Sequence, residues 1–161
     1  ALTCAAGRGH EFVVKLLLQQ ENLDPNKPDT LSGRTPLTWA AVDGRGERAW
    51  GVVKMLLERE DVDINVPDTK YDQTPLSWAA ENRREGVVRM LLDREDINSN
   101  TADHEGRTPL SGAAENGHEA VVKMLSERED VDINAPDPEY GQTPLSFALS
   151  GGNDAVVSLL Q

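Results

Sequence analysis

The chain has 161 residues and a formal net charge of −12. A surface this acidic repels phosphate backbones and anionic membranes, which excludes nucleic acid and lipid as first partners. Apolar residues make up 38 % and aromatics 4 %, enough for a core only if small and aliphatic residues recur in register. The single cysteine, Cys4, excludes an internal disulfide and a cysteine-built zinc site.

The register is visible along the chain. Thr-Pro-Leu stands at 35–37, 74–76, 108–110 and 143–145, and Val-Val at 13–14, 52–53, 87–88, 121–122 and 156–157. Both markers recur at intervals of 34 to 39 residues, and the octapeptide at 58–65 returns unchanged at 127–134. A fixed period of this size defines a repeat array. The units are approximately 1–28, 29–67, 68–102, 103–136 and 137–161. Leu2-Thr3-Cys4-Ala5-Ala6 aligns with Leu37-Thr38-Trp39-Ala40-Ala41, so the first unit is expected to be truncated, as is the last, within a longer protein.

The third unit shows what each must contain. Asp68 to Gln73 is a polar turn, followed by Thr74-Pro75. Thr is a helix N-cap and Pro is favoured at the first helical position. Leu76, Ala79 and Ala80 follow at i, i+3 and i+4, one face of a short helix. A turn is expected over 81–86. A second helix is expected from Val87, with Val88, Met90, Leu91 and Leu92 in its apolar stripe, ending near Asp96. Helices of about 8 to 11 residues are too short to persist alone in water, so neighbouring units must stack into an all-α solenoid.

Thr-Pro-Leu-x-x-Ala-Ala, then Glu-Asn-Gly-His-Glu-x-Val-Val-x-x-Leu, then an Asp-x-Asn loop resembles the ankyrin repeat, and 106–118 follow that pattern closely. The resemblance implies an ankyrin-repeat solenoid of about five helix-turn-helix units with hairpin-like tips. Three departures stand out. The units exceed the family's 33 residues. The second carries extra residues between its helices, over 42–51. Thr38, Ser77, Ser111 and Ser146 replace the family's His, so the hydrogen bond implied there is expected to be weaker or rearranged.

No residue set carries chemistry. Asp61-x-Asp63-x-Asn65 opens like a calcium loop, but Val66 stands where Gly is required and Asp72 where Glu is expected. Val62 and Ile64 read instead as anchors of a loop between units. His10 and His118 lie one array apart and read as structural residues at turns; Cys4 reads as a small apolar filler. The serines lack a base and a Gly-x-Ser-x-Gly setting, and Gly44-x-Gly46 is too short for a dinucleotide fingerprint. No catalytic, metal or cofactor site is expected.

The resemblance further implies that tips and first helices line a concave groove for a protein partner. The tips differ between units, and Lys70, Tyr71, Glu105, Glu139 and Tyr140 are candidate contacts. Two residues after each Leu of Thr-Pro-Leu stand Trp39, Trp78, Gly112 and Phe147. Each lies about 200° from that Leu, so the three aromatics are either a binding stripe or packing between units. Trp50, in the insertion, is either packing, extending its helix by a turn, or a secondary contact. Acids after each second helix, at 58–63, 93–96 and 127–132, would align as a ridge that keeps the array soluble or steers a basic partner. The expected function is a non-catalytic, monomeric protein-binding module in an intracellular, cytoplasmic setting. The alternative is a regulatory or structural array packing within a larger nucleotide-switch receptor or enzyme.

Overall fold

The computed structural model describes residues 1–43 and 47–161. They form ten helices, and no strand occurs among them. The helices pair as α1 (Leu2–Gly7) with α2 (Glu11–Leu18), α3 (Pro36–Asp43) with α4 (Glu47–Leu57), α5 (Pro75–Glu81) with α6 (Glu85–Leu92), α7 (Pro109–Glu115) with α8 (Glu119–Ser126), and α9 (Pro144–Ser150) with α10 (Asp154–Leu160). First helices stack in one row, α1 to α3 to α5 to α7 to α9, and second helices in another. Each unit therefore touches its neighbours rather than one common centre.

The Thr-Pro start is built as its residues dictate. Thr74, Thr108 and Thr143 cap α5, α7 and α9, each accepting from the backbone N–H three residues on, with Pro at the first helical position. The hydroxyls of Thr38, Ser77, Ser111 and Ser146 each pair with the Thr that opens their own helix, at 3.0, 3.0, 3.2 and 3.3 Å. The hydroxyl that takes the place of the family's His is thus bonded within its own unit. Leu37, Leu76 and Leu110 with the alanine pairs behind them are buried, as are Val52, Val53, Val87, Val88, Val121 and Val122. Each buried Leu or Val contributes about 1.5–3 kcal/mol relative to exposure, so the modest apolar content serves several small shared seams.

Helix boundaries depart from the sequence reading. α5 continues through Glu81, because Asn82 N–H reaches the Trp78 carbonyl at 3.2 Å and completes the turn. α6 begins at Glu85 and stops at Leu92, four residues before the expected end near Asp96. Arg94 leaves helical geometry there and turns its guanidinium to the Leu57 carbonyl, 2.8 Å away. The insertion around Gly44 and Gly46 lies outside the described residues. Its end is visible: α4 has 11 residues where α6 has 8, the added residues are 47–49, and Trp50 follows them where α6 has Glu85. Trp50 is 48 % exposed. A Cβ built on Gly86 would clash with its ring, so glycine admits the indole there. Cys4 is exposed rather than a core filler, because α1 packs on α3 with that side chain left outside.

The outer loops are tied from unit to unit by two repeated devices. Arg59, Arg94 and Arg128 each form a pair with the Asp two residues on, and each donates from Nη1 to a carbonyl at the end of the preceding second helix: Leu18 at 2.7 Å, Leu57 at 2.8 Å and Leu92 at 2.8 Å. These are carbonyls a helix cannot satisfy within itself, and a cation there complements the dipole. Asn26, Asn65 and Asn100 donate to the carbonyls of Asp61, Asp96 and Asp130 at 2.6, 2.7 and 2.6 Å. Each accepts in return from the backbone two residues further, at Asp63, Asn98 and Asp132. The acidic ridge thus also holds a clasp, in which the arginines turn inward to helix-end carbonyls while their Asp partners stay exposed. Val62 and Ile64 are buried beneath it.

A third device joins the first-helix ends. His118 Nε2 lies 2.8 Å from the Glu81 carbonyl, Arg84 donates to Val42 at 3.0 Å, and Asn153 donates to Ala114 and Glu115 at 3.0 and 2.8 Å. The histidine of the Gly-His turn thus bridges two units rather than serving its own turn alone.

Candidate functional site

The tips project from the first-helix row, and each is organised by one aspartate. Backbone bonds of 2.9–3.0 Å close Asp29 on Arg34, Asp68 on Gln73, Asp103 on Arg107 and Asp137 on Gln142. The Asp side chain then accepts from amides inside the turn. Asp29 takes those of Leu31, Ser32 and Arg34; Asp68 takes Lys70 and Tyr71; Asp103 takes Glu105 and Arg107; Asp137 takes Glu139, Tyr140 and Gln142. Burial pushes the Asp29 carboxyl up, but the bonds from Ser32, Trp39 and Leu31 outweigh it and hold it below the usual carboxylate range. The amide of Tyr140, with those of Gln142, Glu139 and Gly141, holds Asp137 low against its burial. The φ of Gly141 is 66°, and Asp72 takes the same left-handed turn at 55°.

Onto this constant frame each unit sets different side chains. Leu31 is 96 % and Tyr140 73 % exposed; Lys70, Glu105 and Glu139 are exposed, and Tyr71 is half-buried. The neighbouring Glu139 carboxylate raises the Tyr140 hydroxyl above its ordinary titration value.

The aromatic positions divide by unit. Trp39 and Trp78 are half-buried. Their indole N–H groups donate to Asp29 and Asp68 at 2.9 and 2.8 Å. The Arg34 guanidinium lies 5.0 Å from the Trp39 ring and 4.1 Å from that of Trp78, with its Nε 3.3 Å from Asp68. Tyr71 meets Trp78 edge-on at 5.8 Å and continues to His104 at 5.8 Å, while Lys70 covers Tyr71 at 4.8 Å. The stripe is therefore a continuous stack across the second, third and fourth units. Gly112 interrupts it, and Arg107 takes over, bound to Asp103 at 3.0 Å, Glu105 at 3.3 Å and Glu115 at 3.2 Å. Phe147 has no ring N–H to give to Asp137.

The tips are also zipped to one another, but only in part. Thr69 N–H donates to the Ser32 carbonyl and His104 N–H to that of Tyr71, both at 3.0 Å. The corresponding residue of the fifth tip is Pro138, which has no N–H. Among the described residues no backbone bond joins the fourth and fifth tips. A cleft of about 300 Å³ opens between them, lined by Glu105, Arg107, Asp137, Glu139, Tyr140, Gln142 and Phe147. Of the sequence candidates, Glu105, Glu139, Tyr140 and Phe147 meet here, Trp39, Lys70, Tyr71 and Trp78 meet in the stack, and Trp50 lies apart on the second-helix row. Sequence reasoning missed Arg34, Arg107 and Pro138. Their signal is positional: Arg34, Gln73, Arg107 and Gln142 alternate at the last residue of each tip.

Among the described residues no group of three or more His, Cys, Asp or Glu side chains is placed to hold a metal ion. None of the described helices is long and apolar enough to cross a membrane.

A helical-pair solenoid with hairpin tips is the architecture of ankyrin repeats, and the sequence agrees. The family model described as ankyrin repeats (3 copies) matches residues 1–68, 48–137 and 97–161. The chain belongs to the ankyrin-repeat family. Ankyrin repeats are generally protein–protein interaction modules and typically non-catalytic. No curated protein matches the chain in sequence.

Proposed function

We propose that this array binds a protein partner through its tips, without catalysis and without a cofactor. One observation carries this reading: a turn frame fixed by one aspartate per unit presents side chains that differ in every unit and reach solvent. Rigid presentation lowers the ordering cost of association. Tyr and Trp are also the residues most enriched among binding anchors. Lys70, Tyr71, Glu105, Glu139, Tyr140 and Phe147 are the contacts we assign; Trp39 and Trp78 support the tips from within the stack, and Trp50 is a secondary contact on the other row. The net charge of −12 favours a basic partner.

The test is selection from a random-peptide library against the folded array, followed by mapping of a selected peptide by amide shifts. Shifts at 30–34, 69–73, 104–107 and 138–142 are expected. Shifts centred on the outer loops at 58–63 and 127–132 would overturn tip display.

A further inference from the structure

The two ends of the tip row pose different problems to a ligand. In the second and third units a cation is already seated: Arg34 lies against Trp39 and Trp78 with Asp68 beside it. That arrangement shows, inside the molecule, what a guanidinium is given on this surface, namely aromatic faces and a carboxylate. The cleft between the fourth and fifth tips supplies the same elements. Phe147 and the exposed Tyr140 line it, and the exposed Glu105 and Glu139 carboxylates edge it. Pro138 keeps the two tips from closing on one another by a backbone bond. Arg107 also lines the cleft, but its charge is bound by Asp103, Glu105 and Glu115. Counting Asp137 and Glu139 as well, carboxylates outnumber cations there.

We propose that the cleft between the fourth and fifth tips receives an arginine or lysine side chain of an extended segment of the protein partner. The cation lies against Tyr140 and Phe147, and the Glu139 carboxylate neutralises it. This rests on the tip-display reading and adds the chemistry of the residue recognised. Cation–π contacts strengthen when the pair is partly desolvated, and the cleft withdraws the partner's cation from bulk water more than a flat tip does.

The probe is the blocked tripeptide acetyl-Ala-Arg-Ala-amide, titrated into the isotope-labelled array and read by amide shifts. Its citrulline analogue, equal in shape but neutral, is the control. Saturable shifts confined to the amides of Glu139, Tyr140, Gln142 and Phe147 are expected with the arginine peptide. The citrulline peptide should bind about five-fold or more weakly, the range a partly desolvated cation–π contact supports. Tyr140→Ala and Glu139→Gln change exposed side chains and leave the fold intact; each should weaken the arginine peptide several-fold. Equal response to the two peptides, shifts spread over the outer acidic loops, or indifference to both substitutions would overturn the proposal. If library-selected peptides still map to the other tips, tip display survives that failure. If they map to the outer loops, both fall.

Discussion

The second to fourth tips and the fourth to fifth tips share one frame and differ in what joins them. The former are zipped by backbone bonds and by a stack running from Trp39 through Arg34 and Trp78 to Tyr71 and His104. The latter lack that bond at Pro138, whose ring packs on Gly106, and lack the stack at Gly112; a cleft opens beside them. The same aromatic position is thus cemented in one region and available in the other. Conformity to a stripe does not make a residue an anchor; what its faces already touch decides that.

The comparison is broken most severely at Trp78. Its ring meets Arg34 and Tyr71, and its N–H satisfies the buried Asp68. Trp78→Ala should cost about 3 kcal/mol, the lower end for a large aromatic because the ring is half-buried, read as a lowered urea midpoint. Tyr140→Ala in the other region should leave that midpoint unchanged. Arg34→Gln, which copies Gln73, removes two ring contacts and the cation paired with Asp68, whose carboxylate keeps the Trp78 indole and the Lys70 and Tyr71 amides. Since both side chains are largely buried, about 2 kcal/mol is expected in the same assay.

The outer clasp is the control, since it does not differ between the regions. Arg94→Ala and Arg128→Ala should each cost about 1 kcal/mol, and the two should agree. Solvent keeps their Asp pairs weak, and the loss is mainly the bond to the helix-end carbonyl. Arg83 sits at φ 56° where Gly117 and Gly152 have 68° and 66°. Arg83→Gly should therefore gain up to about 1 kcal/mol by relieving left-handed strain, seen as a raised urea midpoint.

Acid treats the regions alike. Asp29 and Asp137 in the tips, and Asp61, Asp96 and Asp130 in the clasp, all titrate below the ordinary carboxylate value. The tip carboxyls are held by amides and the clasp ones chiefly by their arginines. A depressed folded value means the unfolded chain binds more protons, so stability rises with pH across the window. It is complete above the unfolded value of about 3.9 and is lost as pH falls below it. The urea midpoint should be level through neutral pH and fall below about pH 4.

Much of the fold was legible because its markers are periodic. Thr-Pro-Leu, the alanine pairs and Val-Val place both helix rows, and the helix-wheel position of Trp39 and Trp78 took them off the Leu-Ala-Ala face without deciding between a binding stripe and packing between units. What escaped is long-range. The partner of Trp39 lies ten residues back in its own tip, and the partners of Arg59, Arg94 and Arg128 lie 36 to 41 residues back. Composition reads such arginines as offsets to acid, not as ligands of carbonyls. Their recurrence with the unit period, shared by Asn26, Asn65 and Asn100, was the available signal. The proline at 138 breaks a bond that only the stacked structure reveals.

The division between a cemented and an available aromatic row is tested most directly by one paired titration. A library-selected peptide that maps to the fourth and fifth tips is bound to the array and to its Tyr140→Ala variant, each checked for an unchanged urea midpoint. Affinity about five-fold or more weaker at equal stability is the expected result; equal affinity of the two arrays would contradict it.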